Sequence, residues 1–301
     1  MPCFRPLNAW QSPAGGAVVF SPSRSHPLSI QLPCGQCIGC RLAKSQMWAT
    51  RCLHESSMHE DNCFITLTYD DDHLPWDGSL NKKHFQDFMK RFRDRTRKKI
   101  RYFHCGEYGE KLQRPHYHAL IFGYDFEDKT LWSQKDGVRT YTSELLEKIW
   151  PFGFSTVGAV TWESAAYCAR YVTKKQTGDQ GKEHYWRILA TDLEVELQPE
   201  YATMSLKPGI GQTWFTEYKN DCFPSDYITV NGKKKQIPRY YDKLLEKHNE
   251  LDLATIKENR KREARKHHEN NTRKRLRVRE EVQKAKIKTL QRNLENETRT
   301  I

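Results

Sequence analysis

The chain has 301 residues with a formal net charge of +12; 37% are hydrophobic and 12% aromatic. That length suits one good-sized domain or two smaller ones with a buried core, and the aromatic content argues against wholesale disorder. The mean hydropathy of -0.86 requires a strongly polar region, and no apolar stretch approaches the length of a membrane span.

The charge is lopsided. Residues 233–301 hold 22 Lys and Arg against 11 Asp and Glu, which is +11 of the +12. A basic tail on a near-neutral body points to an anionic partner, nucleic acid or a membrane surface, although a solvated helix kept for solubility gives the same pattern. The N-terminus lacks the basic-then-apolar pattern of a signal peptide. Nine cysteines, several grouped closely, fit a reducing compartment with thiols or metal ligands better than a secreted disulfide framework.

In chain order, residues 1–33 are rich in Pro, Ser and Gly and read as an irregular arm. PCGQCIGCR follows and runs into a helix expected from about Leu42 to Glu55. Cys34, Cys37 and Cys40 have C-x2-C-x2-C spacing and could hold Zn²⁺ with Cys52 or Cys3 as the fourth ligand. Unmetallated thiols remain open, as does an iron–sulfur loop, which lacks its usual following C-P. Cys63, Cys105, Cys168 and Cys222 are scattered and read as buried small hydrophobes. CFITLTYDDDH is expected to be a strand ending at Tyr69 in an acidic turn. His84, Phe85, Phe88, Met89 and Phe92 then recur at helical spacing, with Asn81 or Ser79 as the cap.

IRYFHCGEYG (100–109) and HYHALIFG (116–123) read as strands. Residues 124–152 read as a polar excursion with one short helix capped by Ser143. GFSTVGAV (153–160) is a further strand. Residues 161–175 form a helix that Thr161 can cap, although Ser164 stands where a capping box wants Glu or Gln. The order predicts an α+β fold, a central antiparallel sheet with flanking helices of ferredoxin- or RRM-like character. Residues 34–232 make that domain with its Cys-rich entry segment. The fold of residues 176–232 stays open, and 233–301 reads as a basic helical or partly disordered tail. Leu276, Val282, Ile287, Leu290 and Leu294 give the tail a thin stripe with a broken heptad.

His116 and His118 sit at i and i+2 of a strand and therefore share a face with Leu120 and Phe122, while Tyr117, Ala119 and Ile121 face the other way. Both faces are apolar beyond the pair, as in an interior strand. A packed core accommodates two histidines only by satisfying several ring nitrogens; neutral imidazoles side by side also converge naturally on a metal. Glu107, in the preceding strand, reaches the same face if the two strands are neighbours. Two imidazoles and a carboxylate leave positions for water or substrate, and suit Mn²⁺ better than Mg²⁺. Asp70, Asp71 and Asp72 are rival acids, more simply a solvated turn.

Tyr167, Tyr171 and Lys174 fall at i, i+4 and i+7, one stripe of a helix. A core-facing aromatic stripe ending in a snorkelling lysine has the same spacing. Two phenols and an ammonium are more polar than a core stripe needs, and a deprotonated phenol can attack a phosphodiester.

FITLTY (64–69), HYH (116–118) preceded by CGEYG and RP, and YCARYVTKK (167–175) resemble, in that order, the three motifs of the HUH endonucleases. More narrowly they resemble the replication initiators of small single-stranded DNA phages, the microviruses of gokushovirus type. The likeness covers roughly residues 34–175, and PCGQCIGCR resembles the same group. It implies a metal, Mn²⁺ or Mg²⁺, held by His116, His118 and Glu107, with Tyr171 and Tyr167 as nucleophiles assisted by Lys174. It implies nicking of the viral origin strand, a 5′-phosphotyrosine adduct, and rejoining by the second tyrosine. The partners implied are origin DNA, a host helicase and a host polymerase in the bacterial cytoplasm, since the chain shows no nucleotide-binding G-x-x-x-x-G-K-[ST] loop. Arg114, Lys175, Arg273, Lys274 and Arg275 stand as DNA-binding candidates. A one-tyrosine HUH transposase or relaxase is a neighbouring reading. A non-enzymatic zinc-containing DNA-binding or packaging protein explains the basic tail equally well.

Overall fold

Side-chain parity along the strands of one sheet decides what each of its faces carries. The computed structural model describes residues 3–14, 16–109, 112–135, 137–171, 179–189, 191–230 and 232–295. The chain divides into two units, Met1–Lys44 with Ala254–Ile301, and Ser45–Leu253. The elements in order are β1 (Leu7–Gln11), β2 (Leu28–Leu32), α1 (Ile38–Ser56), β3 (Asn62–Thr68), α2 (Lys82–Thr96), β4 (Arg101–Tyr108), β5 (Pro115–Phe122), β6 (Thr130–Lys135) and β7 (Val138–Thr142). They continue with α3 (Glu144–Ile149), β8 (Ser155–Gly158), α4 (Trp162–Tyr171), α5 (Asp179–Tyr185), β9 (Trp186–Ile188), β10 (Glu194–Glu196), β11 (Tyr201–Met204) and α6 (Gln212–Cys222). The last are β12 (Ile228–Val230), β13 (Lys233–Lys235), α7 (Arg239–His248), α8 (Glu250–Lys266) and α9 (Arg273–Glu295).

The second unit is built on a seven-stranded antiparallel sheet in the order β11-β4-β5-β3-β8-β7-β6. β5 lies inside it, paired on both edges, and Tyr117, Leu120, Ile121 and Phe122 are fully buried, as a strand covered on both faces requires. On one face, Ile65, Leu67, Tyr117, Ala119 and Ile121 pack against Phe85, Phe88, Met89 and Phe92 of α2 and Leu146 and Ile149 of α3. Each of the α2 side chains contributes on the order of 1.5–3 kcal/mol by leaving water. On the other face, Phe103, Cys105, Leu120 and Phe122 pack against Ala49 and Cys52 of α1 and Ala165 and Cys168 of α4. The small residues of α4 let its backbone approach the sheet closely.

The local signals are read out at both helix starts. Asn81 caps α2, its side chain accepting from the Lys83 N–H at 3.0 Å. At α4 the Ser164 N–H donates to Thr161 Oγ1 at 3.2 Å and the Thr161 N–H to Ser164 Oγ at 2.8 Å, so serine closes the capping box in place of glutamate. Gly106 is required by close approach. Tyr201 of β11 lies across it, and a Cβ there would sit 2.8 Å from Tyr201 Cε1.

Two expectations need correction, and one open segment is filled. The arm expected to be irregular contains the paired strands β1 and β2. The excursion at 124–152 contains, besides the Ser143-capped α3, the hairpin β6–β7 at the sheet edge. β6 is exposed along its whole length, so no apolar alternation marks it. The unassigned segment 176–232 supplies β11, the opposite edge strand, and α6. In the tail, α7, α8 and α9 are helical, with Leu276 buried and Val282 exposed.

His54 of α1 supplies a prediction. Its ring stacks on Trp214 with centroids 3.4 Å apart and hydrogen-bonds through Nδ1 with the Tyr241 hydroxyl at 2.8 Å. Burial lowers its pKa from 6.5 to about 3. The unfolded chain therefore binds the extra proton between those values, so His54 stabilises the fold above pH 6.5 and this contribution is lost as pH falls toward 3. His54→Phe is expected to flatten the acid dependence of the unfolding free energy, read from urea titrations, by about 1.4 kcal/mol per pH unit between pH 6 and 4. An unchanged slope would refute the assignment.

Candidate functional site

β4 and β5 pair so that Glu107 lies directly opposite His116 and Cys105 opposite His118, while β3 places Thr66 opposite His118. Directly opposed residues share a face, so Glu107, His116, His118 and Thr66 project together, on the face that α4 covers. His116 Nε2 and His118 Nε2 each lie 2.9 Å from the same oxygen, Glu107 Oε1. The three side chains bring one donor atom apiece to within 4.8 Å of one another.

The outer partners fix the rings. His116 Nδ1–H donates to the Arg114 carbonyl at 3.1 Å, and His118 Nδ1 hydrogen-bonds with Thr66 Oγ1 at 3.0 Å. Holding Nδ1 in this way turns Nε2 inward, the arrangement that orients metal-bound imidazoles. His116 can meet an acceptor oxygen with both nitrogens only as an imidazolium; a divalent cation between Nε2 and the carboxylate lets the ring be neutral. The donor set therefore fits a divalent metal. Glu107 is nearly fully buried. Burial alone would raise its pKa, but hydrogen bonds and charge from His116 and His118 outweigh that and lower it from 4.5 to about 2. It stays a carboxylate at any working pH.

Helix α4 delivers a phenol to this cluster. The Tyr167 hydroxyl donates to Glu107 Oε1 at 3.3 Å, and the ring meets His118 edge-on with centroids 5.0 Å apart. Phe64 stacks on His118 and meets the edge of Tyr167, walling the site on the β3 side. Tyr171 is the last residue of α4, one turn on; its side chain lies outside the described residues, as do Lys174 and Lys175. Arg114 is near but engaged, bound to Asp71 and donating to the Tyr69 carbonyl at 3.0 Å. The rival acids are elsewhere: Asp70 bonds with His73, and Asp71 faces solvent beside Arg114. Arg273, Lys274 and Arg275 open α9, exposed. Thr66 and Phe64 escaped the sequence reading. The signal for both was the parity of FITLTY, which puts residues 64, 66 and 68 on one face.

The cysteine cluster corrects one assignment. Cys3, Cys34, Cys37 and Cys40 bring their sulfurs to within 4.8 Å of one another. Cys52 does not join them. It is fully buried in the second unit, packed with Phe103, Cys105 and Cys168, because it sits on the sheet-facing side of α1. Cys63, Cys105, Cys168 and Cys222 are all buried, and none of the nine cysteines is in a disulfide. Among the described residues, no helix is long and apolar enough to cross a membrane.

The chain is similar to replication-associated proteins of phages. The family model of replication-associated protein ORF2/G2P matches residues 62–176, the stretch from β3 past the end of α4. The chain is 37% identical over 252 residues to replication-associated protein VP4 of Bdellovibrio phage phiMH2K, covering 80% of this chain and 76% of that one. It is 33% identical over 292 residues to replication-associated protein ORF2 of Spiroplasma virus 4, covering 88% and 87%. It is 31% identical over 230 residues to replication-associated protein ORF4 of Chlamydia phage 1, covering 73% and 54%. No solved structure matches the chain.

Proposed function

The chain belongs to the viral Rep proteins of the HUH-endonuclease superfamily, related to the replication-associated proteins of phages, and from that premise we propose that it starts rolling-circle replication by cutting an origin strand with a tyrosine. The virus would be a small single-stranded DNA phage, a microvirus of gokushovirus type. The protein would act in the bacterial cytoplasm with a host helicase and polymerase. The observation that carries the reading is the Tyr167 hydroxyl on the same carboxylate oxygen that both histidines meet.

Glu107, His116 and His118 would hold Mn²⁺ or Mg²⁺, whose charge polarises the scissile phosphate. The tyrosine would give up its phenolic proton as its oxygen attacks phosphorus, the P–O3′ bond would break, and the 3′ oxygen would take up a proton and leave as a hydroxyl, so the proton count is unchanged. One phosphodiester replaces another, so the bond energy is kept for rejoining. Tyr171 and Tyr167, one turn apart, would serve the two transfers in alternation, with Tyr171 making the first attack, and Lys174 would neutralise phosphate charge. Arg114, Lys175 and the bases opening α9 would contact backbone phosphates, a salt-dependent attraction.

The test is an SDS-stable 5′ adduct on origin-containing single-stranded DNA in Mn²⁺. Wild type is expected to form it, and the Tyr167→Phe/Tyr171→Phe double variant to form none. Failure with every divalent metal and viral substrate would leave the non-enzymatic DNA-binding reading. Retention in Tyr171→Phe with loss in Tyr167→Phe would make Tyr167 the first nucleophile. If Tyr167→Phe left both cleavage and circle closure unchanged, the one-tyrosine reading would be favoured.

A further inference from the structure

Among the described residues of the first unit, few apolar side chains are buried. One hydrophobic cluster there consists of Cys3, Phe4, Cys37, Cys40 and Leu276, with Cys34 and Ile38 packed against it, so most of its members are cysteines. A core this small does not by itself hold a polar helix such as α9, and small units of this kind use a metal or disulfides as a staple. We propose that Cys3, Cys34, Cys37 and Cys40 bind one structural zinc ion that fastens the N-terminal segment to the start of α1 and seats α9 on it through Leu276. This inference is independent of the nuclease reading.

Three observations carry it. The ligands come from two separate places in the chain, Cys3 and the CGQCIGC turn, yet their sulfurs lie within 4.8 Å of one another. Cys37 Sγ and Cys3 Sγ are 3.9 Å apart. In a tetrahedral tetrathiolate with Zn–S near 2.3 Å the sulfurs are about 3.8 Å apart, so a contraction of under about 1 Å closes the site. Backbone N–H groups also point at the sulfurs. Phe4 N–H donates to Cys37 Sγ at 3.2 Å, Cys34 N–H to Cys3 Sγ at 3.3 Å, and Cys37 N–H to Cys34 Sγ at 3.3 Å. Such donors stabilise negative charge on sulfur, which four clustered thiolates need and four neutral thiols do not. Finally, four sulfurs with no carboxylate or imidazole favour zinc over the harder cations that suit the Glu107 site. Binding releases the remaining thiol protons to solvent and involves no redox change.

The test uses the full chain under reducing conditions. One equivalent of Co²⁺ is expected to give the intense ligand-field and thiolate charge-transfer bands of a tetrahedral sulfur site, which a histidine–carboxylate site cannot produce, and Zn²⁺ to bleach them. Zinc absorption spectroscopy on a His116→Ala/His118→Ala variant, which keeps every cysteine, should show a shell of four sulfurs near 2.3 Å. Cys52→Ser is expected to retain the metal and Cys3→Ser to lose it. Zinc removal should speed tryptic cleavage at Arg273–Arg279 at least about tenfold, since cutting an exposed helix needs it to open. Absence of the cobalt bands in the wild-type chain would overturn the proposal without any variant. So would a brown iron–sulfur chromophore, a nitrogen or oxygen shell, or metal kept by Cys3→Ser and lost by Cys52→Ser.

Discussion

His118→Ala is expected to lower metal-dependent nicking by roughly 10³-fold, and the loss should persist at saturating Mn²⁺. A metal that polarises a phosphoryl oxygen is worth several kcal/mol of transition-state stabilisation, and each 1.36 kcal/mol is tenfold in rate. His118 occupies the middle of the site: it meets Glu107 through Nε2 and Thr66 through Nδ1, and both Phe64 and Tyr167 lie against its ring. Its removal would take away a proposed metal ligand and the ring against which the Tyr167 phenol rests.

Thr66→Val separates these roles. Thr66 touches neither Glu107 nor the phenol in the hydrogen-bond pattern; it holds Nδ1 of His118. It is a positioning residue, so its loss is expected to weaken Mn²⁺ affinity by about 10–100-fold while leaving the rate at saturating Mn²⁺ near wild type. Nicking measured against Mn²⁺ concentration distinguishes the pair. Activity of His118→Ala within about threefold of wild type would remove the histidines from the proposed chemistry.

Much of this site is legible before any fold is known because strand parity is a local rule. His116 and His118 two apart, and Glu107 in the neighbouring strand segment, need only the pairing of β4 with β5 to converge, and HYHALIFG is too apolar on both faces to sit at an edge. The capping asparagine of α2 and the spacing of Phe85, Phe88, Met89 and Phe92 are local in the same sense. What the sequence left dark is non-local or unpatterned. β6 carries no buried residue and so no alternation. β11 is a four-residue strand whose place beside β4 depends on Tyr201 crossing Gly106. Cys3 lies 31 residues before the nearest other cysteine of its cluster, so spacing alone leaves it and Cys52 as equal candidates, and only the fold, which turns Cys52 toward the sheet, separates them.

Arg101→Met is expected to destabilise the second unit by about 3–5 kcal/mol, the cost of leaving a buried charge without its partner. Arg101 opens β4 and is buried, and its Nε donates to Glu55 Oε1 while a terminal nitrogen donates to the Pro208 carbonyl at 2.7 Å. Glu55 Oε2 accepts from the Gly211 N–H at 2.7 Å, and His59 lies 3.5 Å from Oε1. Burial by itself raises the Glu55 pKa, but these hydrogen bonds and the Arg101 charge together lower it. The pair thus ties α1, the first residue of β4 and the 208–211 segment together. Gly211 takes φ +75°, and a Cβ there would lie 2.6 Å from the Tyr241 hydroxyl, so the segment has little freedom to retreat. Glu55→Gln should be costly too, and Arg101→Met/Glu55→Leu is expected to lose less than the two single changes together, since no charge is stranded. Urea midpoints at pH 7 measure all of these, and a loss below about 1 kcal/mol for Arg101→Met would show that Glu55 finds water or another cation. Eight paired residues fix the register of β4 on β5. Where Arg101→Met is still folded, Glu107 therefore remains opposite His116, and nicking by the folded fraction should stay close to wild type. Stability and the proposed chemistry would then be set at opposite ends of the same strand.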